Sequence, residues 1–187
     1  MIRAFIAITP PTTLQQTVAE VRQVFQRLAL PWRWVTPDHI HLTLRFLGNV
    51  PDESVISLFH AMEHAAQGQT VFPLRAKALG CFPHPARPRV LWVGLDDPSQ
   101  ALERLNERLT VALTPLGFPP EDRPLHPHLT LARVQNVRRS SQLLPVLQTY
   151  QNRDFGEFLV TQVHLMQSQL QRGGALHTIL CSVTLQS

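Results

Sequence analysis

The hexapeptide His39-Ile40-His41-Leu42-Thr43-Leu44 returns as His126-Pro127-His128-Leu129-Thr130-Leu131, and this echo limits the folds open to the chain more than any other feature. The match extends without gaps, HLTLRFLGNV (41–50) onto HLTLARVQNV (128–137). Upstream, RAFIAI (3–8) resembles RVLWVGL (89–95); Arg3 precedes His41 by 38 residues and Arg89 precedes His128 by 39. Between these anchors both copies carry a helical pattern. In the first, Leu14, Val18, Val21, Phe25 and Leu28 follow Thr9-Pro10-Pro11; in the second, Leu102, Leu105, Leu109 and Ala112 follow Asp97-Pro98. A capping residue followed by proline marks a helix start. A four-residue match alone says little, but matching flanks, helix and spacing together point to internal duplication. A period near 87 residues is too long for a solenoid.

Each copy therefore reads strand, helix, linker, then a strand bearing His-Leu-Thr-Leu. Further along, Pro51 to Ala66 reads as a helix, 71–80 and 89–95 as strands flanking a proline-rich loop CFPHPARP, and 140–147 as a short helix or turn. Residues 157–166 and 175–184 read as strands joined by a turn at 171–174. Strands and helices mix without a strict βαβ rhythm. The expected class is α+β: a single domain over 1–187, with two interleaved, pseudo-symmetric lobes of antiparallel sheet and flanking helices around a central cleft.

Composition sets softer bounds. Of 17 Lys+Arg, all but Lys77 are arginine, against 13 Asp+Glu. Guanidinium forks suit phosphate oxygens, although a GC-rich genome produces the same bias. Cys81 and Cys181 sit in apolar surroundings and read as free buried thiols in a reducing compartment. The apolar run in MIRAFIAITPP is too short for a signal segment or a membrane span. A cytoplasmic monomer, with no membrane partner, is the expectation.

In an extended strand, side chains alternate between faces. His41, Thr43 and Arg45 then share one face, with Leu42, Leu44 and Phe46 on the other; His128 and Thr130 share a face opposite Leu129 and Leu131. The leucines bury against helices. A polar His-Thr face is costly to bury without partners, and two related lobes would bring both such faces to one cleft. Two histidines, one neutral and one protonated, suit general acid–base chemistry on a phosphate ester. Threonine hydroxyls donate to oxygens where charge builds. No metal or other cofactor is required by this scheme. Two alternatives stay open: a His-x-His metal-dependent hydrolase, although no carboxylate repeats beside either pair, and a non-catalytic RNA-binding module. The remaining histidines, His60, His64, His84, His164 and His177, read as structural or surface residues.

The paired His-x-Thr motifs resemble those of the 2H phosphoesterase superfamily. WRWVTPDHIHLTLRFLGNV and RPLHPHLTLAR are most similar to its RNA 2′,3′-cyclic phosphodiesterase branch, also called 2′-5′ RNA ligases. The resemblance covers nearly the whole chain. It implies hydrolysis of a 2′,3′-cyclic phosphate on an RNA end to a 2′-phosphate without metal or nucleotide cofactor, with reversible 2′-5′ joining of RNA ends. It also implies that His41 and His128 are the catalytic pair, His41 as acid toward the departing 3′-oxygen and His128 as base. Thr43 and Thr130 would hold the phosphate, Arg133 would bind it, and Phe46 would stack on the base. Strict alternation, however, puts Arg133 and Phe46 on the leucine face, so the resemblance requires a strand end or a bulge there. His177 stands where family members often carry an aromatic residue after the glycine turn.

Overall fold

The computed structural model describes residues 1–28, 31–134, 143–171 and 174–187. Its strands are β1 (Ile2–Ile8), β2 (Trp32–Trp34), β3 (Leu42–Val50), β4 (Phe72–His84), β5 (Arg87–Asp96), β6 (His128–Val134), β7 (Asp154–Val160), β8 (Gln162–Gln171) and β9 (Gly174–Thr184). Its α-helices are α1 (Thr12–Ala19), α2 (Val21–Phe25), α3 (Ser54–Ala66), α4 (Ala101–Leu113) and α5 (Leu143–Thr149). Among the described residues no helix is long and apolar enough to cross a membrane.

The strands form one antiparallel sheet in the order β7-β4-β5-β6-β3-β1-β8-β9, with β2 added alongside β6. The α+β class and the duplication both stand in this order. Outward from the centre, β6, β5, β4 and β7 mirror β3, β1, β8 and β9. The two motif strands meet in the middle, where the paired residues are Leu42 and Leu129. The hairpin β8–β9 comes from the C-terminal end of the chain but completes the half begun by β1 and β3.

The first helical pattern forms α1 and α2, the kink falling at Glu20. The second forms α4, which starts later than Asp97-Pro98 suggests: Gln100 is its N-cap residue, and the Asp97 carboxylate accepts from the Leu102 N–H at 2.7 Å from outside the helix. The leucines of both motifs, Leu42, Leu44, Leu129 and Leu131, are buried in one large apolar cluster with residues of all five helices. The opposite face of the sheet holds a second, small cluster of Phe5, Ala7 and Met166.

Two expectations are corrected. The proline-rich loop is a tight hairpin: β4 runs to His84 and β5 starts at Arg87, with the ladder slipping between Phe82 and Pro83, where proline has no N–H to give. The strand expected over 157–166 is two strands, because the chain leaves β4's edge at Val160 and enters the other half at Gln162. The carbonyl of Thr161 between them accepts from Leu185 N–H at 2.9 Å. The short helix or turn expected over 140–147 is α5 from Leu143 on, with Pro145 inside it; 140–142 and 172–173, the middle of the expected 171–174 turn, lie outside the described residues. Cys81 and Cys181 are free, the first buried and the second half-buried.

One glycine is fixed by packing. The indole of Trp92 lies on Gly80, its strand partner, so a Cβ there would meet the ring at 2.1 Å. Gly80→Ala is expected to cost about 1–3 kcal/mol by overpacking and to move the indole. Denaturant unfolding followed by tryptophan fluorescence tests this; an unchanged midpoint would show that the ring yields freely.

Candidate active site

Extending the Leu42–Leu129 pairing by one residue either way sets His41 across from Thr130 and Thr43 across from His128. All four then lie on the face away from the helices. The antiparallel junction of the duplicated strands thus gathers the four polar residues into one group.

The register just beyond this group, on each strand, resolves the alternation problem. On β3, Ile6 faces Arg45 while Ala7 faces Thr43, which leaves Leu44 unmatched. On β6, Leu91 faces Ala132 while Trp92 faces Thr130, which leaves Leu131 unmatched. Each copy therefore has a bulge at the same place in its motif, and a bulge reverses the faces of all later residues. Phe46 and Arg133 are turned onto the His-Thr face, both exposed, Phe46 at 64%. Arg45 is turned the other way. It is expected beside Thr43 but is 5% exposed on the helix side. There its guanidinium donates to the carbonyls of Phe118 and Pro119 and lies 3.7 Å from Glu121. Gly48, at φ +72°, follows a second slip between Ala4 and Phe5.

The histidines are held alike. The Nδ1 of His41 is 2.7 Å from the His39 carbonyl, and the Nδ1 of His128 is 2.6 Å from the His126 carbonyl. A carbonyl only accepts, so Nδ1 carries the proton and, in the neutral ring, Nε2 keeps its lone pair for chemistry. A phenyl ring backs each imidazole: Phe5 at 4.9 Å from His41, and Phe82 edge-on at 5.2 Å from His128.

Burial pushes His41 down to about 4. Its bond to the His39 carbonyl works the other way, while His177, His39 and Arg133 add to the lowering. His128 is lowered by burial first, opposed by the His126 carbonyl and reinforced by His126 and Arg133. Arg133 thus acts on both imidazoles from its turned position. Both shifts favour the neutral ring, against the half-protonated pair expected at neutral pH.

Sequence reasoning missed His177. Its ring stands edge-on to His41 at 4.9 Å and to Phe5 at 5.1 Å, with His39 at 5.5 Å, and its buried Nδ1 has no hydrogen-bond partner. The available signal was its place after the glycine turn. Around His128, Phe82, Trp92 and His126 make a second ring cluster. His164 is buried with Ser182 at 2.8 Å, as expected for a structural residue. Among the described residues no three His, Cys, Asp or Glu side chains converge as a metal-binding group.

The sequence model of the LigT like Phosphoesterase family matches this chain twice, over residues 8–92 and 93–177. The chain belongs to the LigT like phosphoesterase family. The double match places the family's unit on each copy of the repeat. The chain is 32% identical to the RNA 2′,3′-cyclic phosphodiesterase of Aeropyrum pernix, over 89% of this chain and 93% of that one. It is 28% identical to the protein of the same name from Methanothermobacter thermautotrophicus, over 95% of each. Among solved structures, TT0787 of Thermus thermophilus superposes with a TM-score of 0.82 at 27% identity over 98% of both chains. E. coli LigT complexed with 3′-AMP gives 0.73 at 26% identity, over 100% of this chain and 99% of that one.

The histidine shifts carry a stability consequence. Below pH 6.5 unfolded His41 takes up a proton that the folded ring refuses until about 4, so stability falls as pH falls through that window. Urea midpoints are expected to drop between pH 7.5 and 5, and less steeply for His41→Gln. Equal acid sensitivity in both proteins would show that folded His41 protonates as easily as the unfolded ring.

Proposed function

We propose that this chain is an RNA 2′,3′-cyclic phosphodiesterase working by acid–base catalysis between His41 and His128, without a metal. The observation that carries this reading is the Leu42–Leu129 junction, which sets two His-x-Thr strands on one face, each histidine held through Nδ1 and, among the described residues, with no hydrogen bond at Nε2. The names of the similar proteins and the 3′-AMP complex of E. coli LigT support it.

Two proton transfers balance the reaction. His128 Nε2 takes a proton from water, and the hydroxyl oxygen bonds to phosphorus. The bond from phosphorus to the 3′-oxygen breaks, and protonated His41 gives its proton to that oxygen. A 2′-phosphate remains. Thr43 and Thr130 donate to the non-bridging oxygens, and Arg133 offsets their charge. Phe46 presents an exposed ring to the base. A ribose hydroxyl in place of water would give a 2′-5′ linkage by the same two transfers. Burial lowers both rings in the free protein, and the charge of the anionic substrate favours the imidazolium that His41 needs to act as acid.

His41→Ala or His128→Ala is expected to remove nearly all turnover of a 2′,3′-cyclic-phosphate-ended oligonucleotide with the fold intact. A variant at the parental rate would refute the two-histidine scheme. Thr43→Ala or Thr130→Ala is expected to cost about 2–4 kcal/mol in the barrier, as for a lost oxyanion donor. Activity should survive a chelator; activity restored only by added zinc or iron would favour the His-x-His metal alternative.

Proton uptake has its own readout. Sulfate, a tetrahedral anion that does not itself titrate near neutral pH, is expected to bind with net proton uptake at neutral pH and to weaken as pH rises. Calorimetry in two buffers of different ionisation enthalpy measures this. Zero uptake would mean that one imidazole is already charged in the free protein.

A further inference from the structure

β2 continues the line of β3 alongside β6. Trp34 pairs with Ala132, Arg33 with Arg133 and Trp32 with Val134, and the Val35 N–H extends the ladder to the Leu131 carbonyl at 2.8 Å. Both tryptophans point to the helix side, their rings 6.0 and 6.3 Å from the Phe25 ring. Directly paired residues share a face. Arg33 therefore emerges beside Arg133, on the face that carries His128 and Thr130, and both arginines are exposed.

Like charges directly opposite across a ladder destabilise a sheet. Elsewhere in this chain an exposed strand arginine has carboxylate company: Arg75 pairs with Asp96 and Glu157 across its ladders and with Asp154 in an ion pair. Among the described residues neither Arg33 nor Arg133 is in an ion pair, and the unplaced residues include no Asp or Glu. Two free guanidiniums, side by side on anchored strands, are a site for more than one phosphate. Arg133, close enough to bias both imidazoles, belongs to the reacting one.

The order along the central seam says which phosphate is the other. Because β3 and β6 are antiparallel, Phe46 lies beyond the His-Thr group at one end, and Arg133 with Arg33 lies beyond it at the other. In a terminal nucleotide the base hangs from C1′, next to the 2′-oxygen, and the 5′ arm leaves from C4′, next to the 3′-oxygen. With the cyclic phosphate on the histidines and the base at Phe46, the 5′ arm runs toward the arginines. We infer that Arg33 binds the phosphodiester one nucleotide upstream of the cyclic phosphate, which makes the preferred substrate an RNA end rather than a free cyclic nucleotide. The inference rests on the cyclic phosphodiesterase reading above.

The test compares adenosine 2′,3′-cyclic phosphate with the dinucleotide ApA bearing a 2′,3′-cyclic phosphate end. The logarithm of kcat/KM is followed against the logarithm of salt concentration. Each phosphate contact on a single strand contributes a slope of about −0.7. The dinucleotide is expected to have the steeper slope, and Arg33→Gln to flatten it by about 0.7, onto that of the mononucleotide. Arg33→Lys, which keeps the charge, should preserve most of the steepness. Equal slopes for both substrates in the parent protein would overturn the assignment alone, as would Arg33→Gln altering both slopes alike or neither. Hydrolysis of neither substrate by the parent protein would overturn the enzymatic reading itself.

Discussion

One strand contact organises this molecule. Leu42 and Leu129 pair at the centre of the sheet, and there the two copies of the repeat join. The leucines are fully buried, so the register of the junction is fixed by the core on the helix side. A slip of either strand by one residue would carry its leucine to the open face and its histidine into the apolar cluster. The polar group is placed by hydrophobic burial on its reverse side, and the chemistry inherits the precision of the packing.

Much of this was legible in the sequence, because duplication made the pattern readable twice. The four-residue group of His41, Thr43, His128 and Thr130 follows from period-two alternation plus pseudo-symmetry. The bulges did not follow. Nothing in LTLR or LTLA marks an unmatched residue, since a bulge is a property of two strands and only the partner's register exposes it. Arg45 shows the consequence: alternation puts it beside Thr43, and the structure sets it under the sheet against the Phe118 and Pro119 carbonyls. The break at Thr161 was hidden for a related reason, since a chain crossing between sheet halves needs no glycine or proline. His177 was hidden because its value lies in reaching His41 from β9, four strands from the second motif.

The electrostatics of the open face are mainly cationic, with Asp38, 3.8 Å from His39, as a carboxylate at its margin. Imidazoles 39, 41 and 177 cluster at one end and 126 and 128 at the other, with Arg133 acting on both catalytic candidates. No carboxylate shares the face in any ion pair with Arg33 or Arg133 among the described residues. Burial lowers His41, His128 and His177 below the usual imidazole range, which lessens the repulsion in the free protein. An arriving anion reverses the balance, because its charge stabilises guanidinium and imidazolium together. Affinity for a phosphate and readiness to protonate a leaving oxygen are then two expressions of the same field.

The copies have diverged where symmetry would be a handicap. At the position just past each bulge the first copy buries Arg45 and the second Ala132; one residue on, the first exposes Phe46 and the second Arg133. Across from the two threonines, Ala7 lies beside His164 in one half, whereas Trp92 lies over Gly80 in the other. The bulk is the same in kind but comes from a different strand. A nucleotide end is itself asymmetric, with a flat apolar base on one side of its cyclic phosphate and a charged chain on the other. A perfect twofold site would offer rings to both sides or arginines to both. One of each at equivalent positions, on a backbone that duplication made near-symmetric, would give the substrate proposed above a single direction in which to lie.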